Sequence, residues 1–192
     1  MAPANTRLYQ GEQADLTDER RLTTEKFAQL FDTYYHRVYK YICYRINNHY
    51  AAEDICSHVF EVVISKYETF SPEKSNFEVW LFAIARNAVT DYFRSLKHRS
   101  YFSLNAIVNM VLPRPTPEEL VIRDDKNKAL FTALAKLSDK ERHIIAMKYA
   151  AGLKNSEIAE LLGVSGSNIG VVLHRSLKKL QKDLKVEEAD PE

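Results

Sequence analysis

The sequence is poor in the residues that end or turn a chain. Its 192 residues hold only 5 glycines and 6 prolines, which argues against a turn-rich chain and for long helices. The 2 cysteines, Cys43 and Cys56, form no metal-like pair. Both fall on apolar helix faces and read as buried thiols, with a redox switch as the alternative. No apolar run is long enough to span a bilayer and no charged-then-apolar leader opens the chain, so a cytosolic location is expected. Charge of one sign is also lacking: 27 Lys+Arg against 26 Asp+Glu leave a net +1. That excludes a bulk polycation, so any nucleic-acid binding must use local patches. No strand pattern exists and no glycine-rich phosphate loop follows one. No Ser-His-Asp or Cys-His arrangement can be argued from spacing. His36, His49, His58, His98, His143 and His174 lack a ligand spacing such as HExxH. The expectation is no catalytic residue, no metal, no cofactor and no small-molecule substrate.

What the sequence does contain is a well-marked stretch, Asn155 to Leu180. It reads as two helices around a tight turn. Ile158, Leu161 and Leu162 form one apolar face, and Ala159 precedes Gly163 by four residues. A helix-turn-helix needs a small residue where the second helix crosses and a glycine free to take the left-handed conformation at the turn. After a capping Ser165, apolar or small residues recur at Ile169, Val172, Leu173, Ser176, Leu177, Leu180 and Leu184. The opposite face carries Ser167, Asn168, His174, Arg175, Lys178 and Lys182, which suits a helix lying against DNA. The alternative is an ordinary helical hairpin with a solvated basic face.

Residues 1–22 are polar and aperiodic and read as a tail. Thr23 or Thr24 caps a first helix bearing Phe27, Leu30, Phe31, Tyr34, Val38, Ile42 and Ile46, broken at Asn47, Asn48 and His49. A second helix is expected from about Ala51 to Tyr67, with Ile55, Cys56, Val59, Phe60 and Val63 inside. Glu53 and Asp54 stand near its N-terminus, where acids are favoured. After the loop Phe70 to Asn76, a third helix is expected to about Leu96. Phe77, Trp80, Leu81, Ile84, Ala88, Val89 and Tyr92 form its stripe, and Arg86, Asn87, Thr90, Asp91, Arg94, Lys97 and Arg99 lie off it. Basic residues mixed with Asn and aromatics suit phosphates and unpaired bases, and a solvated helix with a structural Trp fits equally. Residues 101–115 lack a clean period and end in Pro113, Pro115 and Pro117, as an extended linker would. Thr116-Pro117-Glu118-Glu119 and Ser138-Asp139-Lys140-Glu141 are both helix-start patterns. Ile144, Ile145 and Tyr149 would pack under the helix-turn-helix, and Gly152 ends their helix. The organisation predicted is all-α: a tail (1–22), a helical domain (23–99), a linker (100–116), a second helical domain (117–185) and an acidic tail (186–192).

These pieces resemble the extracytoplasmic-function (ECF) group of sigma-70 family RNA polymerase sigma factors. Ala52-Glu53-Asp54-Ile55 with Val59-Phe60 looks like the helix laid on the polymerase clamp. Phe77 to Asn87, followed by Asp91-Tyr92-Phe93-Arg94, is similar to the promoter-melting helix. Leu137-Ser138 through Lys179, with Glu157-Ile158-Ala159 and Leu173-His174-Arg175, looks like the promoter-reading C-terminal domain. The resemblance implies a sigma region 2 bundle and a sigma region 4 helix-turn-helix. It implies binding to core RNA polymerase (beta-prime clamp and beta flap), to promoter DNA and to an anti-sigma factor.

The resemblance also implies site residues. Glu53, Asp54, Ser57, His58 and Phe60 would meet polymerase, although Ser57 and His58 stand where the family often has Gln then Glu. Ser75, Asn76, Phe77, Trp80, Arg86, Asn87, Asp91, Arg94, Lys97 and Arg99 would capture the melted minus-ten strand, a flipped base lying against Ser71 to Asn76. Ser165, Ser167, Asn168, Val171, His174, Arg175 and Lys178 would read the minus-thirty-five duplex. Leu104, Ile107 and Val111 would anchor the linker in polymerase. Gly170 and Val172 stand where a basic or polar residue is common in the family. A stand-alone helix-turn-helix regulator and a pure interaction protein are the competing readings.

Overall fold

The computed structural model describes residues 22–46, 48–102 and 125–188. The predicted tails, the Thr116 helix start and the linker anchors Leu104, Ile107 and Val111 lie outside the described residues. Among those described, every regular element is helical. Thr23 opens α1 (Thr24–Arg45) by accepting the Lys26 N–H at 3.2 Å. Asn48 then takes an extended conformation and accepts the Ala51 N–H at 3.0 Å. That cap starts α2 (His49–Lys66) two residues before the predicted Ala51. Glu53 and Asp54 therefore fall beyond the first turn, which holds no acid, and their expected helix-end role is not found. α3 spans Phe77–Phe102 and runs past the expected end at Leu96, because Lys97 to Phe102 contain neither Gly nor Pro to stop it.

The second group begins with α4 (Asp125–Ala135) and α5 (Asp139–Ile145). Ser138 and Glu141 form the predicted reciprocal cap: Glu141 N–H donates to Ser138 Oγ at 3.4 Å and Ser138 N–H to Glu141 Oε2 at 3.0 Å. α5 continues as a π-helical turn, Ala146–Ala150, before Gly152 at φ +75°. The wider turn shifts the phase of the side chains that follow. Tyr149 accordingly stands 49% exposed rather than beneath the helix-turn-helix as expected, while Ile144 and Ile145 are buried. α6 (Asn155–Leu162) and α7 (Gly166–Glu188) complete the group. Leu177, expected on the α7 stripe, is 40% exposed and borders an open apolar groove with Tyr44, Leu180 and Leu184.

The two groups do not sit apart. Their buried side chains make one continuous cluster, from Val38, Tyr41 and Ile42 on α1 through Leu81 and Phe82 on α3 to Ile144, Met147 and Ile158. α1 packs on α2 and on the π-helical turn to a similar extent, and α3 reaches α6. Polar contacts ring this shared core. Arg37 Nε donates to the Ala151 carbonyl at 2.8 Å while its two terminal nitrogens grip Glu78 at 2.8 and 2.7 Å. Tyr41 Oη lies 3.0 Å from His143 Nε2, and Arg45 Nη1 donates to the Asp139 carbonyl at 2.9 Å.

Candidate nucleic-acid interface

The helix-turn-helix is built as its residue types require. Ala159 is buried where α7 crosses α6. Gly163 caps α6 at φ +63°, ψ +36°, a left-handed pair that costs glycine little. The Val164 N–H then donates to the Ala159 carbonyl at 3.1 Å. Ser165 opens α7 by accepting the Asn168 N–H at 3.3 Å, and its hydroxyl also lies 3.1 Å from Ser167 Oγ. Ser165, Ser167, Asn168, Val171, His174, Arg175 and Lys178 are all exposed. Their spacing of threes and fours sets them on one face, opposite the buried Ile169, Leu173, Ser176 and Leu180. Nothing lies within 4 Å of a Cβ built at Gly170, so packing inside the chain does not require glycine there.

The face of α3 is a second polar surface. Asn87, Asp91, Arg94 and Lys97 are exposed along it, with Arg94 and Asp91 3.0 Å apart. Arg99 lies beyond the described side chains. At the start of α3, Phe77 and Trp80 are half-buried, their rings 5.6 Å apart and each within 5.4 Å of Phe70. They form an apolar ledge under the loop carrying Ser75 and Asn76. Those two and Arg86 are already engaged by the second group. Asn76 Nδ2 donates to Glu157 Oε1 at 3.3 Å, Ser75 Oγ to Glu160 Oε1 at 3.1 Å, and Arg86 Nη1 to the Leu161 carbonyl at 2.5 Å. The sequence held no local signal for these pairings. Each joins residues far apart in the chain, and no spacing within one segment points Glu157 or Glu160 toward a partner in another.

The third predicted set, on α2, divides. Glu53, Asp54, Ser57 and His58 are exposed on one face. Phe60 is buried, as its place on the inner stripe required: at 4% exposure it faces inward, its ring 4.8 Å from Phe31 and 6.2 Å from Tyr35, so it does not share the exposed face of the other four. It falls on the same side of α2 as Cys56, Val59 and Val63, so it supports the exposed face from beneath. Cys56 is buried and Cys43 half-buried, neither in a disulfide. Burial pushes the Cys56 thiol up to about 12, which makes it a poor nucleophile.

Between the groups, burial and the nearby Arg45 and Arg86 guanidinium groups hold His143 down to about 3, so the ring stays neutral there. The paired Arg37 holds Glu78 below the usual carboxylate range. Two hydrogen-bonding partners, Lys179 (2.6 Å) and then Ser138, bring Glu141 to about 2. Glu78, Glu141 and His143 thus help fasten helices together, and none of the three belongs to the predicted DNA-binding sets. Among the described residues no three metal-ligating side chains come together and no helix is long and apolar enough to cross a membrane.

Known proteins match this architecture in both halves. Residues 30–99 match the family model for Sigma-70 region 2, and residues 127–180 that for Sigma-70, region 4. The chain is 28% identical over 158 residues to the ECF RNA polymerase sigma factor BldN of Streptomyces coelicolor, spanning 82% of this chain and 60% of that protein. It is 27% identical over 166 residues to the ECF RNA polymerase sigma factor SigX of Bacillus subtilis, 84% of this chain and 85% of that one. In fold it is similar to the sigma factor RpoE solved with the anti-sigma factor NepR from Bartonella quintana. That match has a TM-score of 0.67 and 21% identity over 85% of this chain and 99% of that one. It is also similar to CnrH solved with the cytosolic domain of CnrY, at TM-score 0.61 and 20% identity over 88% and 92%.

Proposed function

Because this chain belongs to the sigma-70 family of RNA polymerase sigma factors, in its ECF group, we propose that it binds core RNA polymerase and directs it to particular promoters. It is a transcription initiation factor, and its work is recognition rather than catalysis. The observation that supports this reading is the pairing in one chain of two separate exposed polar surfaces, on α3 and on α7. α7 enters the major groove of a minus-thirty-five element, where Ser167, Asn168 and Val171 meet base edges and Arg175 and Lys178 meet phosphates. α3 and the loop before it take the minus-ten strand once it is unpaired. Phe77 and Trp80 support a flipped base, and Arg86, Asn87, Arg94 and Lys97 bind the backbone. Glu53, Asp54, Ser57 and His58 form the face of α2 that meets the polymerase clamp.

The partners follow from the same reading: core polymerase, promoter DNA and an anti-sigma factor, in the cytoplasm. A stand-alone helix-turn-helix regulator leaves the region 2 match without a role. The two surfaces separate in one experiment. Arg175→Ala should weaken binding of a minus-thirty-five duplex across sequences and reduce the salt slope by about one ion. Asn87→Ala with Arg94→Ala should leave that duplex binding intact and impair opening of promoter DNA by the polymerase complex. Equal effects of both variants on both assays would refute the division of labour.

A further inference from the structure

A cavity of about 400 Å³ opens where the end of α1, the start of α5 and the turn between α6 and α7 meet. Its lining is of two kinds. Arg45, Lys140, His143 and Asn168 supply polar groups, and Leu162, Val164 and Ile169 supply apolar surface. The positive charge around it lacks a counter-charge. Arg45 is half-buried, and its Nη1 donates to a neutral acceptor, the Asp139 carbonyl, at 2.9 Å. Its Nε is buried without a partner, as is the Nε of Arg142. Among the described residues, Arg45, Arg86 and Lys140 make no ion pair. The carboxylate on the lining, Asp139, is 87% exposed and lies 3.5 Å from Arg142. Burial holds Arg45 below its ordinary value, and the Arg142 charge adds to this. Native structures seldom leave buried donors unpaired, and a buried cation without an anion is costly. Guanidinium groups in this condition beside a cavity therefore mark a place where an anion would be welcome.

We propose that this cavity is a binding site for a small organic phosphate, a phosphate monoester carried on a short apolar body. Arg45 supplies a planar guanidinium suited to phosphate oxygens, and Lys140 a flexible point charge from the exposed rim. The Asn168 side-chain amide adds a neutral donor from the start of α7. The excess of cations over carboxylates favours a phosphate, with a charge near −2, over a singly charged carboxylate. Leu162, Val164 and Ile169 take the apolar body. The volume lies in the range of small-molecule sites and holds roughly a dozen non-hydrogen atoms at about 30 Å³ each. A phosphate of a DNA backbone would leave the apolar part of the cavity unfilled. Arg45 belongs to α1 and the other groups to α5 and the α6–α7 turn, so a bound phosphate ties these elements together and stabilises the folded chain by mass action.

The probe is phenyl phosphate, titrated into the full chain by isothermal titration calorimetry. Phenol, inorganic phosphate and phenylacetate are the comparison compounds. Phenyl phosphate should saturate one site with a dissociation constant of about 1 mM or tighter. Each comparison compound should bind at least about tenfold more weakly, because it lacks the charge, the apolar body or the second negative charge. Lys140→Glu, at an exposed position, reverses a charge on the rim and should weaken phenyl phosphate at least about tenfold. Val164→Phe places a ring in the cavity and should weaken it to a similar extent. The thermal unfolding midpoint, read by circular dichroism, should rise with phenyl phosphate in the parent and stay fixed in both variants. Should Val164→Phe fail to fold, Lys140→Glu decides alone. The proposal is overturned by an absence of saturable binding up to about 10 mM, by unchanged affinity in Lys140→Glu, or by any comparison compound binding as tightly as phenyl phosphate.

Discussion

His143 allows the docking of the two domains to be tested by pH alone. In water a histidine titrates near pH 6.5, but between α1 and α5 this ring is held down to about 3 by burial and by the Arg45 and Arg86 charges. Its Nε2 lies 3.0 Å from Tyr41 Oη. The open chain therefore binds a proton that the docked chain refuses. This stabilisation is complete above about pH 6.5 and is lost as pH falls toward the folded value near 3. From about pH 7.5 to about pH 5 the loss is close to 1.5 pH units at about 1.4 kcal/mol each, or ~2 kcal/mol as an upper figure for a ring that keeps some solvent contact. The window is clean of the paired acids: Glu78 and Glu141 titrate below the ordinary carboxylate range, so their contributions fade only at lower pH. Urea unfolding followed by circular dichroism at the two pH values, for the parent and for His143→Phe, measures the difference. The parent should lose ~2 kcal/mol more than the variant over this interval. An equal pH dependence in the two proteins would refute the buried neutral histidine.

Two glycines should respond oppositely to the same substitution. Gly163→Ala meets no atom within 4 Å but must keep φ at +63°, so it should destabilise the chain by about 1 kcal/mol in urea unfolding. Gly170→Ala, also with open space but in a helix interior, should stabilise it by up to about 1 kcal/mol. Phe60→Ala removes a ring packed on Phe27, Phe31 and Tyr35 and should cost about 3–5 kcal/mol. A loss of polymerase binding with unchanged stability would instead return Phe60 to the surface set.

Local chemistry made most of the helices legible. The caps at Thr23, Ser138 and Ser165, the left-handed Gly163 and the exposed face of α7 all follow from neighbours within one turn. The misses have physical causes of other kinds. Asn48 read as a breaker and is a cap, because a short polar side chain serves either purpose until the backbone is fixed. Tyr149 left its predicted place because a π-helical turn changes the phase that a constant period assumes. The docking of the two domains was not legible at all. It depends on Arg37, Tyr41, Arg45, Asn76 and Arg86 finding partners more than sixty residues away, and no periodicity in one segment encodes a partner in another.

Run-off transcription with purified core RNA polymerase and a library of promoter-bearing genomic fragments tests the central claim most directly. Adding the protein should start transcripts that core polymerase alone does not make. Each should lie downstream of a shared pair of elements, and Arg175→Ala should reduce them. If no new transcript appears while the protein alone binds and represses a duplex target, the chain acts as a free-standing regulator and the sigma-factor account is wrong.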